Sequence, residues 1–227
     1  MRIIVVRNEK EAAKKVAFIV SSIIRKKPNC NLGLASGRTM IPLYKELVER
    51  KLDFSKVKTF NLDEYIGLKN NKKGFHSFMD KNLFNNVNIK EENVYFPENK
   101  NYDGIIKKSG GIDLQILGIG KNGHIGFNEP GSSLKSKTRK VKLSKETKKA
   151  NKVGMDYAWT AGIKTIMDSK KIILLAFGRE KAGIIKKTLE EKITKDIPAS
   201  FLRKHKNIAF IVDKDSAKKL NDIKTAR

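Results

Sequence analysis

Short apolar runs of strand length alternate along the chain with segments whose apolar residues recur at helical spacing. This alternation constrains the fold most, because strands joined by helices form mainly parallel sheets. The predicted strands are Arg2–Val6, Asn31–Ala35, Val57–Leu62, Asp113–Leu117, Lys171–Ala176 and Asn207–Val212. The predicted helices are Glu11–Arg25, Ile41–Arg50, Gly74–Leu83, Ile163–Met167, Glu180–Leu189 and Ser216–Leu220. We therefore predict an α/β fold, a doubly wound, mainly parallel sheet flanked by helices (Rossmann-like), with residues 1–227 as a single domain.

The composition is that of a folded protein that does not cross a membrane. Hydrophobic residues make up 39% of the 227 residues, which is enough for a buried core. No apolar run reaches the roughly 18 residues that a transmembrane helix needs, and charges appear too early for a secretory signal. Cys30 is the single cysteine and cannot form an internal disulfide. Together these features predict a cytoplasmic protein.

The charge balance is strongly basic, with a net charge of +25 and a pI of about 10.0. Many nucleic-acid-binding proteins share this property. Here the lysines recur singly and in pairs, such as Lys14–Lys15 and Lys218–Lys219, and lack the interleaved aromatic residues of single-strand binders. We expect no specific nucleic-acid partner. The same positive field would concentrate an anionic small substrate.

Polar residues follow four of the predicted strands. They are Ser36–Thr39, Asp63–Glu64, Gly118–Glu129 and Gly178–Lys181. Because ligands of open α/β sheets bind at the carboxyl ends of the strands, these four segments are the candidate site.

The first segment contains Ser36, Gly37, Arg38 and Thr39 between a predicted strand and a predicted helix. Gly37 permits close backbone approach, and the helix N-terminus offers free N–H groups with a partial positive charge. Two hydroxyls and the Arg38 guanidinium add further donors. These features favour a phosphate site, and the alternative is an ordinary capped strand–helix turn.

Asp63 follows the third predicted strand. A carboxylate at this position could remove a proton from a carbon next to a carbonyl. The alternative is an acid that caps a helix or a turn.

The segment Leu117–Gly131 contains the pattern GxGxxG at Gly118, Gly120 and Gly123. A dinucleotide site is not expected, because no helix opens after Gly123 and no acid follows at the required distance. The glycines instead predict a loop that presents His124, Asn128 and Glu129. An imidazole flanked by an amide at Asn122 and a carboxylate at Glu129 is typical of a proton shuttle.

The other chemically active residue types point to packing. His76 and His205 are the only further histidines and lack the spacing of metal ligands, so we expect no metal and no cofactor. Cys30 is expected to be a packed residue. No GxSxG segment is present to supply a serine nucleophile.

The strings LGLASGRT, FNLDEYIGL, GIGKNGHIGFNEPG, GREK and IPASFL resemble the glucosamine-6-phosphate deaminase (glucosamine/galactosamine-6-phosphate isomerase) family. They occur in the family's order and cover nearly the whole chain, and NGHIGFNEPG is the most specific of them. The related 6-phosphogluconolactonases share the fold and the early phosphate loop, but not DEY together with GHIGFNEP.

The resemblance implies conversion of glucosamine 6-phosphate and water to fructose 6-phosphate and ammonia, without metal or nucleotide cofactor. Alternatives are a galactosamine-6-phosphate deaminase and a 6-phosphogluconolactonase-like hydrolase. By motif, Asp63 moves the proton between C2 and C1, and His124 opens the sugar ring with support from Asn122 and Glu129. The implied phosphate site consists of Ser36, Gly37, Arg38, Thr39 and Lys181.

The sequence also departs from the family pattern. Asn122 is aspartate in part of the family, and the lid segment Lys145–Tyr157 is short. Val153 stands about where family members carry a phosphate-binding arginine, so Arg38 or Arg179 is expected to substitute. The C-terminal extension of allosteric hexamers has no match, which predicts a monomer or a small homo-oligomer.

Overall fold

Ten strands form two sheets in the computed structural model, which describes residues 1–68, 71–144, 147–148 and 153–221. The strands are β1 (Arg2–Val6), β2 (Asn31–Leu34), β3 (Lys58–Asn61), β4 (Asp63–Tyr65), β5 (Val94–Tyr95), β6 (Leu114–Leu117), β7 (Arg139–Lys142), β8 (Tyr157–Thr160), β9 (Ile172–Ala176) and β10 (Ile208–Asp213). The large sheet has the order β1-β10-β9-β6-β2-β3-β5, and the small one has the order β4-β8-β7.

All neighbouring strands of the large sheet pair in parallel. From β2 the chain proceeds outward through β3 to β5, then returns to β6 and proceeds the other way through β9 to β10. The sheet is therefore doubly wound, with its switch point between β2 and β6, and the predicted fold is confirmed.

Helices cover both faces of the large sheet. They are α1 (Glu9–Lys26), α2 (Ile41–Glu49), α3 (Phe75–Asn82), α4 (Tyr102–Lys108), α5 (Ile163–Met167), α6 (Ala182–Glu190) and α7 (Lys214–Ala217). One apolar core lies between the sheet and α1, α2 and α3, and a second lies between the sheet and α5 and α6. Helix α1 begins where the Asn8 side chain accepts a hydrogen bond from the backbone N–H of Glu11. Across the described ranges, no helix is both long and apolar enough to span a membrane.

The structure differs from the sequence-based prediction in its short elements. The last helix was predicted at Ser216–Leu220, but it starts at Lys214 because Asp213 and Ser216 form a capping box. Helix α4 and the antiparallel sheet β4-β8-β7 were not predicted. Strand β7 is RKVK, and its charged residues hide the apolar alternation that reveals most strands. The sequence of residues 68–74 also predicts a loop, and residues 69–70 of this segment lie outside the described ranges.

We expect Gly162→Ala to destabilise the fold. A Cβ at Gly162 would lie 2.1 Å from the Ser136 carbonyl oxygen, which accepts a hydrogen bond from the backbone N–H of Lys164. Relieving this overlap should cost roughly 1–3 kcal/mol. Thermal unfolding should then begin several degrees lower, at about 2–4 °C per kcal/mol.

The matched control is Gly183→Ala in α6, where a Cβ meets no atom within 4 Å. Alanine is the better helix former, so this change should stabilise by about 0.5–1 kcal/mol. Equal melting temperatures for the two variants would contradict the steric account.

Candidate active site

The four predicted polar segments follow four adjacent strands of the large sheet, β9, β6, β2 and β3. Because these strands are parallel, their carboxyl ends lie along one edge. The topological switch point, where a crevice opens in doubly wound sheets, falls between β2 and β6 at the centre of this group. The structure therefore gathers the predicted site residues at one edge of the sheet, around its switch point.

The turns after β2 and β9 have the same backbone form. Gly37 has φ 109° and Gly178 has φ 88°, and each is followed by a short 3₁₀ turn that leads into α2 or α6. Such positive φ values favour glycine. The two turns lie at the same edge of the sheet, on either side of the loop after β6.

Cationic side chains crowd this edge. The Lys181 ammonium donates a hydrogen bond to the Ile119 carbonyl oxygen at 2.8 Å. Burial lowers the pKa of Lys181, Glu180 opposes that shift, and the nearby charges of Lys121 and Arg38 lower the pKa further. Three cations that repel one another around a crevice form a site for an anion. Lys121 lies within the predicted site segment Gly118–Glu129, but sequence reasoning gave it no role.

Ser36 supports the same interpretation. Its Oγ is buried and has no hydrogen-bond partner among the described residues. A buried hydroxyl without a hydrogen-bond partner destabilises the protein unless a ligand or a water molecule provides the hydrogen bond. Ser36, Gly37, Arg38, Thr39 and Lys181 thus lie on the same edge of the sheet, as predicted.

The loop after β6 holds His124 in one orientation. Asn122 Nδ2 donates to Glu129 Oε2 at 2.7 Å, and a carboxylate can only accept, so the amide oxygen of Asn122 must face the other way. That oxygen lies 2.7 Å from His124 Nδ1. The proton of neutral His124 is therefore on Nδ1, and Nε2 keeps a lone pair for a proton transfer.

Glu129 is the anionic end of this chain of contacts. Its pKa is lowered to about 2, first by the hydrogen bond with His124 and also by Thr147 and Asn122, against the effect of burial. Glu129 Oε2 lies 3.5 Å from His124 Nδ1, so the carboxylate also stabilises a protonated imidazole.

Thr147 reaches this site from the short lid segment. Its hydroxyl donates to Glu129 Oε1 at 2.6 Å, and its backbone N–H donates to Ser144 Oγ at 3.0 Å. Sequence reasoning missed Thr147, although the Ser144-to-Thr147 spacing of a capped turn was a signal for it. Val153 packs instead into the apolar cluster with Tyr65 and Phe127 and supplies no polar group.

Two glycines shape the loop around these side chains. A Cβ at Gly120 would lie 2.2 Å from the His124 ring, so the ring occupies the space that a side chain would fill. Gly126 has φ 56°, and a Cβ there would lie 3.4 Å from Asp63 Oδ2. The loop that carries His124 and Glu129 thus passes directly over Asp63.

Asp63 is the first residue of β4 and lies opposite Thr160 of β8. Its side chain is buried, with the residue 8% exposed. Burial raises the pKa of Asp63 to about 8, and the negative charge of Glu64 contributes to the shift. A buried carboxyl whose pKa lies near neutrality is suited to proton transfer with carbon acids.

Three residues were predicted to have packing roles, and the contacts of His205 and Cys30 differ in kind from those of His76. His205 bridges the Ser169 carbonyl and the Asn207 N–H, and Cys30 is buried, which raises its pKa to about 12. His76 does more than pack, because its Nδ1 lies 2.7 Å from Glu64 Oε2. In the described part of the chain, no cluster of three or more His, Cys, Asp or Glu side chains could hold a metal ion.

The fold and site define a doubly wound α/β protein with clustered cations and titratable side chains at the switch point of its sheet. The family described as glucosamine-6-phosphate isomerases/6-phosphogluconolactonase matches residues 7–210, and the chain belongs to this family.

Relatives and solved structures agree with this assignment. A glucosamine-6-phosphate deaminase of Clostridium botulinum is 47% identical, covering 97% of this chain and 99% of the relative. One of a Thermoanaerobacter species is 45% identical, covering 98% and 96%. A solved monomeric glucosamine-6-phosphate deaminase superposes with a TM-score of 0.92 at 34% identity, covering 96% of this chain and 100% of that one. A 6-phosphogluconolactonase of Thermotoga maritima, with a TM-score of 0.79 at 21% identity, shares the fold.

We expect nitrogen NMR of His124 to show the Nδ1–H tautomer when the imidazole is neutral. The reason is that Glu129 fixes the Asn122 amide, whose oxygen accepts from Nδ1. Asn122→Leu removes the acceptor and should shift the population toward Nε2–H, the tautomer that a free histidine side chain prefers. A dominant Nε2–H form in the unmodified protein would contradict the assigned hydrogen bonds.

Proposed function

We propose that this protein converts glucosamine 6-phosphate and water to fructose 6-phosphate and ammonia. The observation that carries the proposal is the buried carboxyl of Asp63 beneath the loop of Asn122, His124 and Glu129, next to a cationic crevice. The deaminases named among the relatives, at 45–47% identity over nearly the full chain, support the same activity.

The substrate's phosphate binds at the crevice edge. Ser36, Gly37, Arg38 and Thr39 meet it from the turn after β2, and Lys181 meets it from the turn after β9. Backbone N–H groups and cations hold a phosphate dianion better than a neutral hydroxyl. The phosphate therefore fixes the sugar with its reacting carbons toward Asp63.

Ring opening precedes the carbon chemistry, because a closed pyranose has no carbonyl. His124 Nε2 takes the proton of the anomeric hydroxyl and returns a proton to the ring oxygen. Between these events the imidazole is protonated next to the Glu129 carboxylate, which lies 3.5 Å from Nδ1. Glu129 stabilises that intermediate charge, and Asn122 keeps the ring oriented.

Asp63 carries out the isomerisation. Its carboxylate removes the proton from C2, and the electrons of that bond form the C1–C2 double bond. The electrons of the C1–O double bond move to the aldehyde oxygen, which takes a proton from water and becomes a hydroxyl. Returning the proton to C1 leaves a C=N bond at C2. Water then adds to C2, the C–N bond breaks, and ammonia leaves with a ketone at C2.

The direct test measures ammonia release from glucosamine 6-phosphate, galactosamine 6-phosphate and a buffer blank. The same preparation is assayed for hydrolysis of 6-phosphogluconolactone. We expect ammonia from glucosamine 6-phosphate and no lactone hydrolysis above the blank. Preference for the galacto epimer would correct the substrate, and lactone hydrolysis alone would refute the deaminase.

We expect Asp63→Asn to lower the turnover number by about 10²–10⁴ while substrate binding changes little. Asparagine keeps the size and polarity of the buried side chain but cannot accept the C2 proton. Because only the carboxylate form is a base, activity of the unmodified enzyme should rise with pH through the Asp63 pKa of about 8. Near-normal turnover of the purified variant would refute the assignment.

We expect Arg38→Ala and Lys181→Ala mainly to raise KM for the phosphorylated sugar. A phosphate contact stabilises ground state and transition state alike, so the turnover number should change much less than KM. Lys186→Ala is the charge-matched control, since Lys186 lies on α6 and its ammonium contacts Asn221 and Glu190. Unchanged KM in both site variants would place the phosphate elsewhere.

We further propose that residues 1–227 work as a single cytoplasmic domain, either as a monomer or as a small homo-oligomer. The single, buried cysteine supports the location. The similarity to a solved monomeric glucosamine-6-phosphate deaminase supports a monomer. We also propose that the positive charge of the protein attracts the anionic sugar phosphate, and that the protein forms no specific complex with nucleic acid.

A further inference from the structure

Glu64, the residue after Asp63, has a buried carboxylate that faces four N–H groups. Its Oε1 accepts from the backbone N–H of Tyr65 at 2.7 Å and of Phe75 at 2.9 Å. Its Oε2 accepts from the backbone N–H of His76 at 2.8 Å and lies 2.7 Å from His76 Nδ1. Because Glu64 is only 4% exposed, water cannot replace these donors.

These contacts join Asp63 to helix α3. The N-cap residue of α3, Gly74, provides no side-chain acceptor, and Glu64 takes that role from a distant strand. The first N–H groups of a helix carry a partial positive charge that suits a carboxylate. The position of the β4 backbone at Asp63 therefore depends on the bonds of Glu64 to α3.

His76 is fixed on two sides. A carboxylate only accepts hydrogen bonds, so Nδ1 must carry the proton that points at Glu64. The imidazole also stacks on Phe96, with ring centroids 3.5 Å apart and 20° between the planes. The donor is therefore held in place before any substrate binds.

Glu64 is not placed to touch the substrate. Successive side chains of a strand point to opposite faces, so Asp63 and Glu64 of β4 point away from each other. The influence of Glu64 on Asp63 runs through the shared backbone and through its negative charge. That charge raises the pKa of Asp63 in addition to the larger effect of burial.

On the loop above Asp63, Glu129 and His124 face each other, and apart from Glu64 the groups nearest to Asp63 carry no charge. Tyr44 of α2 and Tyr102 of α4 are close enough to interact with it, but burial raises the pKa of both phenols, which keeps them neutral. Thr160 of β8 and the Gly126 backbone, which also lie near the carboxyl, do not titrate. Glu64 is therefore the anionic group that acts on Asp63 within the described residues.

We propose that Glu64 and His76 are positioning residues of the deaminase site. The Glu64 carboxylate, held by four N–H donors, fixes the backbone at Asp63 and supplies the charge that makes Asp63 a stronger base. This inference rests on the proposed deaminase function.

The test is Glu64→Gln, followed through solvent hydrogen exchange at C1 of fructose 6-phosphate with added ammonia. This exchange reports the proton transfer by Asp63 and does not depend on the ring-opening step. The exchange rate should rise with pH as the Asp63 carboxyl loses its proton. Removing the neighbouring charge should lower the pH at the midpoint of this rise by on the order of one unit. The plateau rate should also fall, because a less basic carboxylate removes a carbon-bound proton more slowly.

Two further variants separate charge from structure. Glu64→Asp keeps the charge on a shorter side chain and should keep the midpoint near that of the unmodified enzyme. Glu91→Gln removes one negative charge from an exposed position near the open edge of the sheet and should change neither midpoint nor plateau. An unmoved midpoint in folded Glu64→Gln, or the same shift in Glu91→Gln, would overturn the inference.

If Glu64→Gln does not fold, His76→Phe tests the role of the His76 Nδ1–H donor instead. Phenylalanine keeps the stacking on Phe96 but lacks the N–H, so the turnover number should fall about tenfold or more through misplacement of Asp63. KM for the sugar phosphate should stay within about twofold, since the phosphate site is untouched. Unchanged turnover would overturn the role of His76.

Carbon NMR of the Asp63 carboxyl separates this inference from the proposed function. Its titration midpoint should fall in Glu64→Gln relative to the unmodified protein, whether or not ammonia is released. An inactive unmodified protein with that shift would refute the deaminase but leave the coupling standing. An active enzyme without the shift would refute the coupling alone.

Discussion

Parallel pairing of β6 between β2 and β9 is the constraint on which the site depends. Leu32 lies opposite Leu114, and Leu117 lies opposite Leu174, so the carboxyl ends of the three parallel strands lie along the same edge of the sheet. Gly33 permits this packing, because a Cβ there would lie 2.2 Å from the Gln115 side chain. The shared edge brings the two cationic turns to either side of the loop that carries His124.

Opposite electrostatic environments then separate the roles of the acidic groups. Asp63 is buried next to the charge of Glu64, so its pKa rises to about 8 and its carboxylate is a strong base. Glu129 accepts hydrogen bonds from Asn122 and Thr147 and lies near His124, so its pKa falls to about 2 and it stays anionic. One carboxyl can thus exchange a proton with carbon, while the other stabilises an imidazolium. The two lie under the same loop because Gly126 lets its backbone pass over Asp63.

Sequence reasoning succeeded where the fold follows from local patterns of residues. Six of the strands of the large sheet read directly as apolar runs, and the residues after four of them became site candidates because parallel strands end together. It failed where a contact joins distant segments. Glu64 caps a helix that starts 11 residues later, and Thr147 reaches Glu129 across 18 residues. The strands β4 and β5 were missed because they have only three and two residues, and β7 was missed because its charged residues hide the apolar alternation.

The sequence by itself determined the fold class, the family resemblance and the candidate residues from Ser36 to Lys181, because strand periodicity and motif spacing are local properties. The tertiary structure decided which neighbours set the chemistry of those residues. The tautomer of His124 depends on an amide oriented by Glu129, and the basicity of Asp63 depends on burial and on Glu64. The packing of Val153 among apolar side chains was likewise decided in three dimensions. Burial, hydrogen-bond direction and electrostatic distance exist only once the chain has folded.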